Sequence, residues 1–221
     1  MRRKGLIFVC VLALAALCGL AIASVQVYEN KFKDQSQGKE LALNGKGCKA
    51  EVRGNKGQLG VTTDQGGSRC RLRLPVQADA AKPDHILQVQ GKLLPKTDEK
   101  VRKKVYLALT VREGGGGYYE LRVYPEKREY SLVRRPEDEA FPVTERDNKI
   151  GQTGDKNRLT LRAIGNDVSA KVNKTSVPAV TDPAPDDLKG TRLSVVLGQE
   201  GGSKHGAAVW FSDLSLKVPR P

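Results

Sequence analysis

The sequence predicts an all-β fold whose antiparallel strands form a sandwich or a barrel. Val105, Leu107 and Leu109 are apolar residues of one parity. Tyr106 and Thr110 are polar or amphipathic residues of the other parity. A period of two is typical of pleated strands with one buried side and one solvent-facing side. Segments of this kind recur along the chain between turn residues, as in all-β sandwiches and barrels.

Eleven predicted strands are bounded by residues that interrupt strands. In chain order they are 48–53, 58–62, 69–74, 86–94, 105–113, 118–124, 129–134, 158–164, 168–172, 192–197 and 207–218. Glycine, proline, asparagine or aspartate separates most of them, because glycine permits positive φ and proline lacks the N–H donor. Two long loops cover 135–155 and 178–190. A helical turn is expected only near 185–189.

The first 23 residues predict a signal peptide or a membrane-anchor helix that precedes the sandwich. Arg2, Arg3 and Lys4 form a basic start, and the nineteen residues from Gly5 to Ala23 carry no charge. This run ends in Ala-Ile-Ala, a site for signal peptidase. A retained anchor fits as well, because nineteen helical residues roughly match a ~30 Å hydrocarbon core. Both alternatives predict an extracytoplasmic domain that is secreted or anchored to the membrane.

Cys48 and Cys70 are the only cysteines beyond this segment. Cys48 shares its parity with Val52, and Cys70 shares its parity with Leu72, so both sulfur atoms are expected to face inward. An isolated pair in an oxidising compartment predicts a disulfide. The bond would close a loop of about twenty residues and stabilise the fold by roughly 3 kcal/mol. Two buried free thiols are the alternative.

Length and charge set the domain organisation and the class of partner. Residues 24–47 are expected to form a tether or a first strand, and residues 48–218 one β-sandwich domain. The formal charge is +13; residues 2–4 supply three of these charges and no acid precedes residue 24, which leaves +10 for 24–221. This charge favours a glycan or another anionic envelope polymer, with nucleic acid less favoured. The membrane is a partner if the N-terminal segment is retained. Solubility alone is the alternative explanation.

Four local patterns carry a resemblance to a known family. They are Gly-Tyr-Tyr-Glu-Leu-Arg-Val at 117–123, Asn-Arg-Leu-Thr-Leu at 157–161 with Asp-Val-Ser-Ala-Lys-Val-Asn at 167–173, Gly-Thr-Arg-Leu-Ser-Val at 190–195, and Ala-Val-Trp-Phe-Ser-Asp-Leu-Ser-Leu at 208–216. Their order resembles the concanavalin A-like lectin/glucanase superfamily, in its laminin-G-like and 3-keto-disaccharide-hydrolase-like bacterial branch. Lys174 stands where that family usually has glycine.

This resemblance covers roughly residues 25–218 and implies a two-sheet antiparallel jelly-roll sandwich. Members of the superfamily bind glycans, cleave glycans or serve as accessory modules. The fold alone does not choose among these functions.

No catalytic constellation is predicted. Retaining glycanases need two carboxyl groups about 5–5.5 Å apart, one of them protonated. The acids at 137–139 lie in a loop after a proline, and Glu113 and Glu120 have opposite parities. His85 and His205 are expected to be surface loop residues. Trp210, beside Phe211, is expected in the core.

No cofactor or metal is expected either. The chain has only two histidines and no C-x-x-C pair, which disfavours zinc. Asp182, Asp186 and Asp187 are a weak candidate for calcium, as in loops of this superfamily. However, the alternating spacing of a dedicated calcium loop is absent.

A polar face of adjacent strands is the remaining candidate for a ligand site. Its predicted residues are Gln88, Gln90, Tyr106, Arg112, Glu120, Arg122 and Tyr124. Amide and guanidinium groups bind hydroxyls and acids, and aromatic rings cover the C–H faces of sugars. Arg112 and Arg122 are expected to point outward together, far from Arg69 and Arg71. A half-exposed sheet face that serves only solubility is the alternative.

These observations favour an exported, non-catalytic β-sandwich module that binds a glycan or another envelope polymer. A glycoside-active enzyme of the 3-keto-disaccharide hydrolase type is the first alternative. A structural ectodomain without a small ligand is the second.

Overall fold

A computed structural model describes residues 24–64, 66–76, 84–114, 116–136, 143–183, 188, 190–202 and 205–220. The predicted signal peptide or anchor at 1–23 lies outside these ranges. Among the described residues, none belongs to a helix of the length and apolarity needed to cross a membrane.

Strands make up most of the described chain. In chain order they are β1 (Ser24–Asn30), β2 (Ala42–Asn44), β3 (Cys48–Arg53), β4 (Gln58–Thr63), β5 (Arg69–Arg73), β6 (His85–Leu93), β7 (Val105–Gly114), β8 (Gly117–Tyr124), β9 (Glu129–Arg135), β10 (Val143–Arg146), β11 (Asn157–Ile164), β12 (Asp167–Val172), β13 (Thr175–Thr181), β14 (Arg192–Gln199) and β15 (Ala207–Pro219). Two short helices, α1 (Gln35–Lys39) and α2 (Glu99–Arg102), lie between them.

These strands form two antiparallel sheets, which confirms the predicted all-β sandwich. The eight-stranded sheet has the order β13-β12-β11-β6-β15-β4-β3, and β1 also pairs with β15. The seven-stranded sheet has the order β10-β9-β8-β7-β14-β5-β2. Seven of the thirteen pairings among the described strands join strands that are not consecutive in the chain, so the sandwich depends on long-range pairing as well as on hairpins.

The core lies between the two sheets and is built by the predicted alternation. Along β6, for example, Leu87, Val89 and Leu93 are fully buried, whereas Gln88 and Gln90 on the other side are half-buried. Each fully buried side chain of this kind contributes roughly 1.5–3 kcal/mol through the removal of apolar surface from water. Along an unbroken strand, the apolar parity therefore sets which side faces inward.

Strand β7 departs from this pattern, because its residues are buried on both sides from Val105 to Glu113. One side packs in the core, and the other is covered by long side chains of the same sheet. This covered outward side of the seven-stranded sheet positions the site described below.

Several elements come from segments predicted as loops, or as a tether or first strand. Residues 24–47 supply β1, α1 and β2, and both strands are hydrogen-bonded into the sheets. The predicted loop 135–155 contains β10. Strand β13 follows a turn in which Asn173 has a φ of 54°. β2 and β10 have only three and four residues, so periodicity alone does not reveal them.

The predicted disulfide between Cys48 and Cys70 is present and joins the two sheets, β3 to β5. Cys70 is fully buried, whereas Cys48 on the edge strand is half-buried. The bond thus ties an edge of one sheet to an inner strand of the other.

We expect the replacement of both cysteines by serine to lower the free energy of unfolding. The closed loop spans 22 residues, which corresponds to roughly 3 kcal/mol of chain entropy. Denaturant unfolding of a chain that starts at Ser24 measures the change. Thiol titration of the same chain, denatured without reductant, should find no free thiol; two titratable thiols would contradict the bond.

Candidate functional site

Four of the seven predicted ligand residues meet on the outward side of the seven-stranded sheet. Tyr106 on β7 and Glu120, Arg122 and Tyr124 on β8 share this side through the cross-strand pairs of the two strands. Residues of β5, β7 and β8 complete it. We call this surface the Arg–Tyr face, and it consists of Arg69, Arg71, Arg73, Tyr106, Glu113, Tyr118, Glu120, Arg122 and Tyr124.

Glu120 is the buried anion at the centre of the Arg–Tyr face. Its side chain has no exposed surface. It accepts hydrogen bonds from Arg69 Nη2, from Arg122 Nε at 2.5 Å and from the hydroxyl of Thr110 at 3.0 Å. A buried carboxylate is tolerated when such partners compensate its desolvation. Two guanidinium groups are therefore fixed in place by one carboxylate.

Glu113 holds a second pair of guanidinium groups. Its Oε1 lies 3.5 Å from Arg71 Nη1 and 3.7 Å from Arg73 Nη2, and Ser194 donates to its Oε2 at 2.9 Å. The sequence parity places Glu113 toward the core, but a register shift in β7 between Val111 and Gly114 turns it outward. A β-bulge of this kind inverts the parity of the residues that follow it.

Aromatic rings alternate with the cations across the Arg–Tyr face. The guanidinium carbons of Arg69 and Arg71 lie 4.8 Å and 6.0 Å from the centre of the Tyr118 ring. Arg122 lies 5.1 Å from the centre of the Tyr106 ring. The Tyr106 ring stands 5.4 Å from that of Tyr124. Stacking of this kind strengthens as water is removed, so it adds to the rigidity of the layer.

A flat floor lets these side chains lie against the sheet. Ala108 and Val196 are fully buried beneath them. At Gly198 a Cβ atom would lie 2.0 Å from Cζ of Tyr106. Glycine is therefore required for the Tyr106 ring to rest on β14.

Burial and ion pairing set the acid–base properties of the Arg–Tyr face. Burial, followed by the charge of Glu120, raises the pKa of Tyr106 above its ordinary value. Burial and then the hydrogen bond to Glu200 raise the pKa of Tyr124. Burial lowers the pKa of Arg122, but the charge and hydrogen bond of Glu120 outweigh it and the net pKa is raised. Tyr106 and Tyr124 therefore stay neutral and Arg122 stays charged near neutral pH.

Arg112, a predicted member of the face, does not belong to it. It is 2% exposed, and its Nη2 donates to the carbonyl of Gly165 at 2.8 Å and lies 3.4 Å from Asp84 Oδ1. Its φ of 52° marks the bulge of β7, which turns the side chain away from the outward side. The prediction for Arg112 is wrong because parity holds only along an unbroken ladder.

Gln88 and Gln90 also lie elsewhere. They are on β6, in the eight-stranded sheet, and face outward on the opposite surface of the sandwich. Conversely, Arg69 and Arg71, predicted to be distant, lie on the Arg–Tyr face. The hydrogen bond from Arg69 to Tyr118 at 2.5 Å spans strands that are 49 residues apart in sequence. Alternation places a residue on one side of a strand but does not assign the strand to a sheet.

Asp182 and His85 are both buried, which differs from the expectations for these two residues, whereas His205 lies in a loop as expected. Asp182 is fully buried and accepts hydrogen bonds from Tyr119 and from Arg134 Nε at 2.9 Å, so it serves an internal network. Asp186 and Asp187 lie outside the described residues. His85 is 1% exposed, not a surface residue. His205 is partly exposed, and its Nδ1 lies 2.6 Å from Asp98 Oδ2.

The described residues contain no group of three or more histidine, cysteine or acidic side chains that would hold a metal ion.

Similarity to known proteins is confined to the fold. No family model and no curated protein sequence matches the chain. A Bacillus subtilis protein of unknown function with a galectin-like fold superposes with a TM-score of 0.64 at 12% identity, over 89% of this chain and 98% of that one. The catalytic domain of a Thermotoga petrophila laminarinase superposes with a TM-score of 0.62 at 9% identity, over 90% of this chain and 100% of that one.

The carbohydrate-binding module CBM66 of Bacillus subtilis gives a TM-score of 0.54 at 10% identity, over 81% of this chain and 96% of that one. At these identities the similarity establishes the fold alone. It confirms the predicted resemblance to the concanavalin A-like jelly-roll sandwiches.

We expect Gly198→Ala to destabilise the protein by about 1–3 kcal/mol, the usual cost of forcing an extra carbon into a packed site. The added Cβ would overlap the Tyr106 ring. Denaturant unfolding measures the change. Gly202→Ala is the matched control, because a Cβ there meets nothing within 4 Å. Equal stability of both variants would contradict the packing of Tyr106 on β14.

We expect stability to fall at alkaline pH through the buried tyrosines. Their folded-state pKa values lie above the ordinary ~10, so the stability they contribute is present below about pH 10 and is lost as the pH rises above it. Tyr124→Phe should flatten this loss by up to about 1.4 kcal/mol per pH unit. Denaturant unfolding between about pH 9 and pH 11 measures both slopes. An unchanged slope in Tyr124→Phe would contradict the burial of this phenol.

Proposed function

We propose that this chain is a non-catalytic binding module for a glycan that carries acid groups, and that the Arg–Tyr face is its binding surface. One observation carries the proposal. Four guanidinium groups, those of Arg69, Arg71, Arg73 and Arg122, share two carboxylates on one side of a rigid sheet. The face thus has a surplus of two positive charges.

Arg71 and Arg73 are the groups best placed to meet a ligand. Their side chains are 29% and 31% exposed, compared with 20% for Arg69 and 14% for Arg122. Their distances to Glu113 exceed the ~2.7–2.9 Å of close charge-assisted bonds. A guanidinium group has five N–H donors in a planar arrangement. The Nε atoms of both residues are buried, so their Nη groups are the donors that would bind a carboxylate or sulfate.

Tyr118 supports a sugar rather than a simple ion as the ligand. Its half-buried ring lies beside Arg69 and Arg71. An aromatic ring offers an apolar surface to the C–H face of a sugar, while the adjacent guanidinium groups bind its acid group. The Tyr118 ring and the Arg71 guanidinium group, whose carbon lies 6.0 Å from the ring centre, are spaced to bind the ring and the acid group of one sugar unit.

The contacts of the two carboxylates favour binding over hydrolysis. Retaining and inverting glycosidases both need a carboxyl group that delivers a proton to the leaving oxygen. Glu120 and Glu113 instead accept bonds from guanidinium and hydroxyl donors, which bind the charged form. This arrangement holds cations in place and leaves neither carboxyl group directed at a substrate. The glycoside-active alternative is therefore the weaker one.

An extracytoplasmic location accompanies this function. The disulfide between Cys48 and Cys70 is of a kind that persists in oxidising compartments. The basic and apolar start of the sequence supports export, and a retained segment would tether the module to the membrane. Envelope or extracellular polysaccharides are the acidic glycans available there.

The binding test replaces Arg71 and Arg73 by glutamine. We expect the affinity for polygalacturonate to fall about tenfold, in line with the loss of about 1.4 kcal/mol from two exposed charged contacts. The double variant Arg71→Lys, Arg73→Lys keeps the positive charges but removes the planar guanidinium donors that bind a carboxylate at two points. Its affinity for polygalacturonate should also fall. Isothermal titration measures both, with thermal unfolding as the check on folding.

The control is Arg162→Gln with Lys171→Gln, which removes two cations from the other sheet. These residues lie on β11 and β12. Equal losses in the two glutamine double variants would show that only net charge matters, and the proposed surface would be abandoned. Release of reducing ends from the polymer by the unchanged protein would favour the enzymatic alternative instead.

A further inference from the structure

The outward side of the eight-stranded sheet carries the single tryptophan of the chain. Trp210 was expected in the core beside Phe211, but only Phe211 is buried there, at 1% exposure. Trp210 has the opposite parity on β15 and is half-buried on the outward side. An aromatic ring on a sheet surface that does not pack in the core requires a different explanation.

A cavity of about 260 Å³ lies against this ring, and basic residues line it. Lys49 and Arg53 on β3 and Lys96 after β6 contribute the positive charges, and Glu51 is the acidic residue. A second cavity of about 470 Å³ is lined by Lys31, Lys33, Lys56 and Lys156, with Asp213 as the acid. Seven cations and two acids therefore line the two cavities.

The two cavities form one continuous surface. Trp210 lines the first and Ser212 the second, and both are on β15. Two residues of a strand span about 7 Å. The turn Gly54–Lys56 follows directly on Arg53 and borders the second cavity. We call this surface the cationic track, and it consists of Lys31, Lys33, Lys49, Arg53, Lys56, Lys96, Lys156 and Trp210.

Trp210 positions the central cations of the track. The guanidinium carbon of Arg53 lies 5.1 Å from the centre of the Trp210 ring, and Lys56 Nζ lies 6.0 Å from it. Tryptophan is the best aromatic partner for a cation. Gly60 lies beside the ring, with a Cβ position 3.5 Å from Trp210 Cδ1. The ring thus lies close to the sheet and keeps two exposed cations near one another.

Most of these cations lack an anionic partner. Lys31 pairs with Glu29 at 3.1 Å. Arg53 and Lys96 form no ion pair with any described residue, and the same holds for Lys49 and Lys156. On the Arg–Tyr face, by contrast, every guanidinium group has a carboxylate partner. Like charges held together without anions raise the local potential and attract an anionic ligand.

We propose that the cationic track is a second binding site, on the opposite side of the sandwich from the Arg–Tyr face, and that its ligand is an extended acidic polysaccharide. Carboxylate or sulfate groups along such a chain would pair with the lysines and Arg53 in succession. The two cavities in line suit a polymer segment better than a single ion.

Two features favour a polysaccharide over other polyanions. Single-stranded nucleic acid is bound by successive aromatic rings on which bases stack, whereas the track has one ring, already covered by Arg53. Lipid headgroups are disfavoured by position. The predicted N-terminal signal or anchor precedes Ser24, which pairs with Pro219. Nine residues of β15 separate Pro219 from Trp210, about 30 Å along a strand. A membrane at the predicted anchor would therefore lie far from Trp210 and the cations around it.

The test measures polygalacturonate binding by titration of the purified protein in the Arg71→Gln, Arg73→Gln background, which removes the two most exposed cations of the other face. We expect Arg53→Gln with Lys56→Gln to lower the affinity about tenfold. The slope of log affinity against log salt concentration should fall by about 1.4, because two fewer counterions are released from a flexible polyanion. Both residues are exposed, so the fold should be unaffected. Trp210→Leu, at unchanged charge, should lower the affinity about threefold.

The control in the same background is Arg162→Gln with Lys171→Gln. Arg162 pairs with Ile86, which pairs with Lys217, seven residues along β15 from Trp210. This variant removes the same charge from the same sheet and should lower the affinity no more than about twofold. Equal losses for the two double variants would overturn the proposal.

Anionic vesicles and a single-stranded oligonucleotide are tested at equal anion concentration. Tighter binding of either one, lost in Arg53→Gln with Lys56→Gln, would also overturn the polysaccharide assignment. The Arg–Tyr face is tested separately by the loss that Arg71→Gln and Arg73→Gln cause in the otherwise unchanged protein, so failure of one proposal does not decide the other.

Discussion

The organisation of the Arg–Tyr face depends on one buried carboxylate. Glu120 has no exposed surface, and a buried carboxylate needs donors that compensate its desolvation. Arg69 and Arg122 supply them and are thereby held on the outward side of the sheet. Their guanidinium groups then lie over the rings of Tyr118 and Tyr106, respectively. Glu120 thus arranges Arg69 and Arg122, while Glu113 does the same for Arg71 and Arg73 at the other end of the face.

The two outward surfaces of the sandwich use positive charge differently. On the Arg–Tyr face the cations are arginines, each paired with a carboxylate, and the aromatic rings are held between them. On the cationic track they are mostly lysines, the ring is a single tryptophan, and anionic partners are few. A paired and rigid layer suits recognition of one sugar acid with little loss of entropy. An unpaired row suits a longer polyanion, whose affinity depends strongly on salt.

The alternation in the sequence predicts which side of a strand each residue occupies. It does not predict features that depend on contacts between strands, such as bulges and strand order. Alternation correctly predicts that Tyr106 and Glu120 share an outward side with their neighbours on β7 and β8. It fails at Arg112, because a bulge with positive φ inverts the parity there. It also fails for Gln88 and Arg69, whose sheet and neighbours are set by pairings between strands far apart in sequence. Periodicity contains no information about strand order, so the other arginines of the site could not be found from it.

A crystal structure of the protein with an oligogalacturonide tests the central claim most directly. The account predicts a sugar carboxylate bound by the forks of Arg71 and Arg73, with the sugar ring against Tyr118. The carboxylates of Glu113 and Glu120 should keep their guanidinium partners, because the layer is already arranged before the ligand arrives. An ordered oligosaccharide bound only away from the Arg–Tyr face would contradict the account, as would a ligand that displaces Arg69 from Glu120.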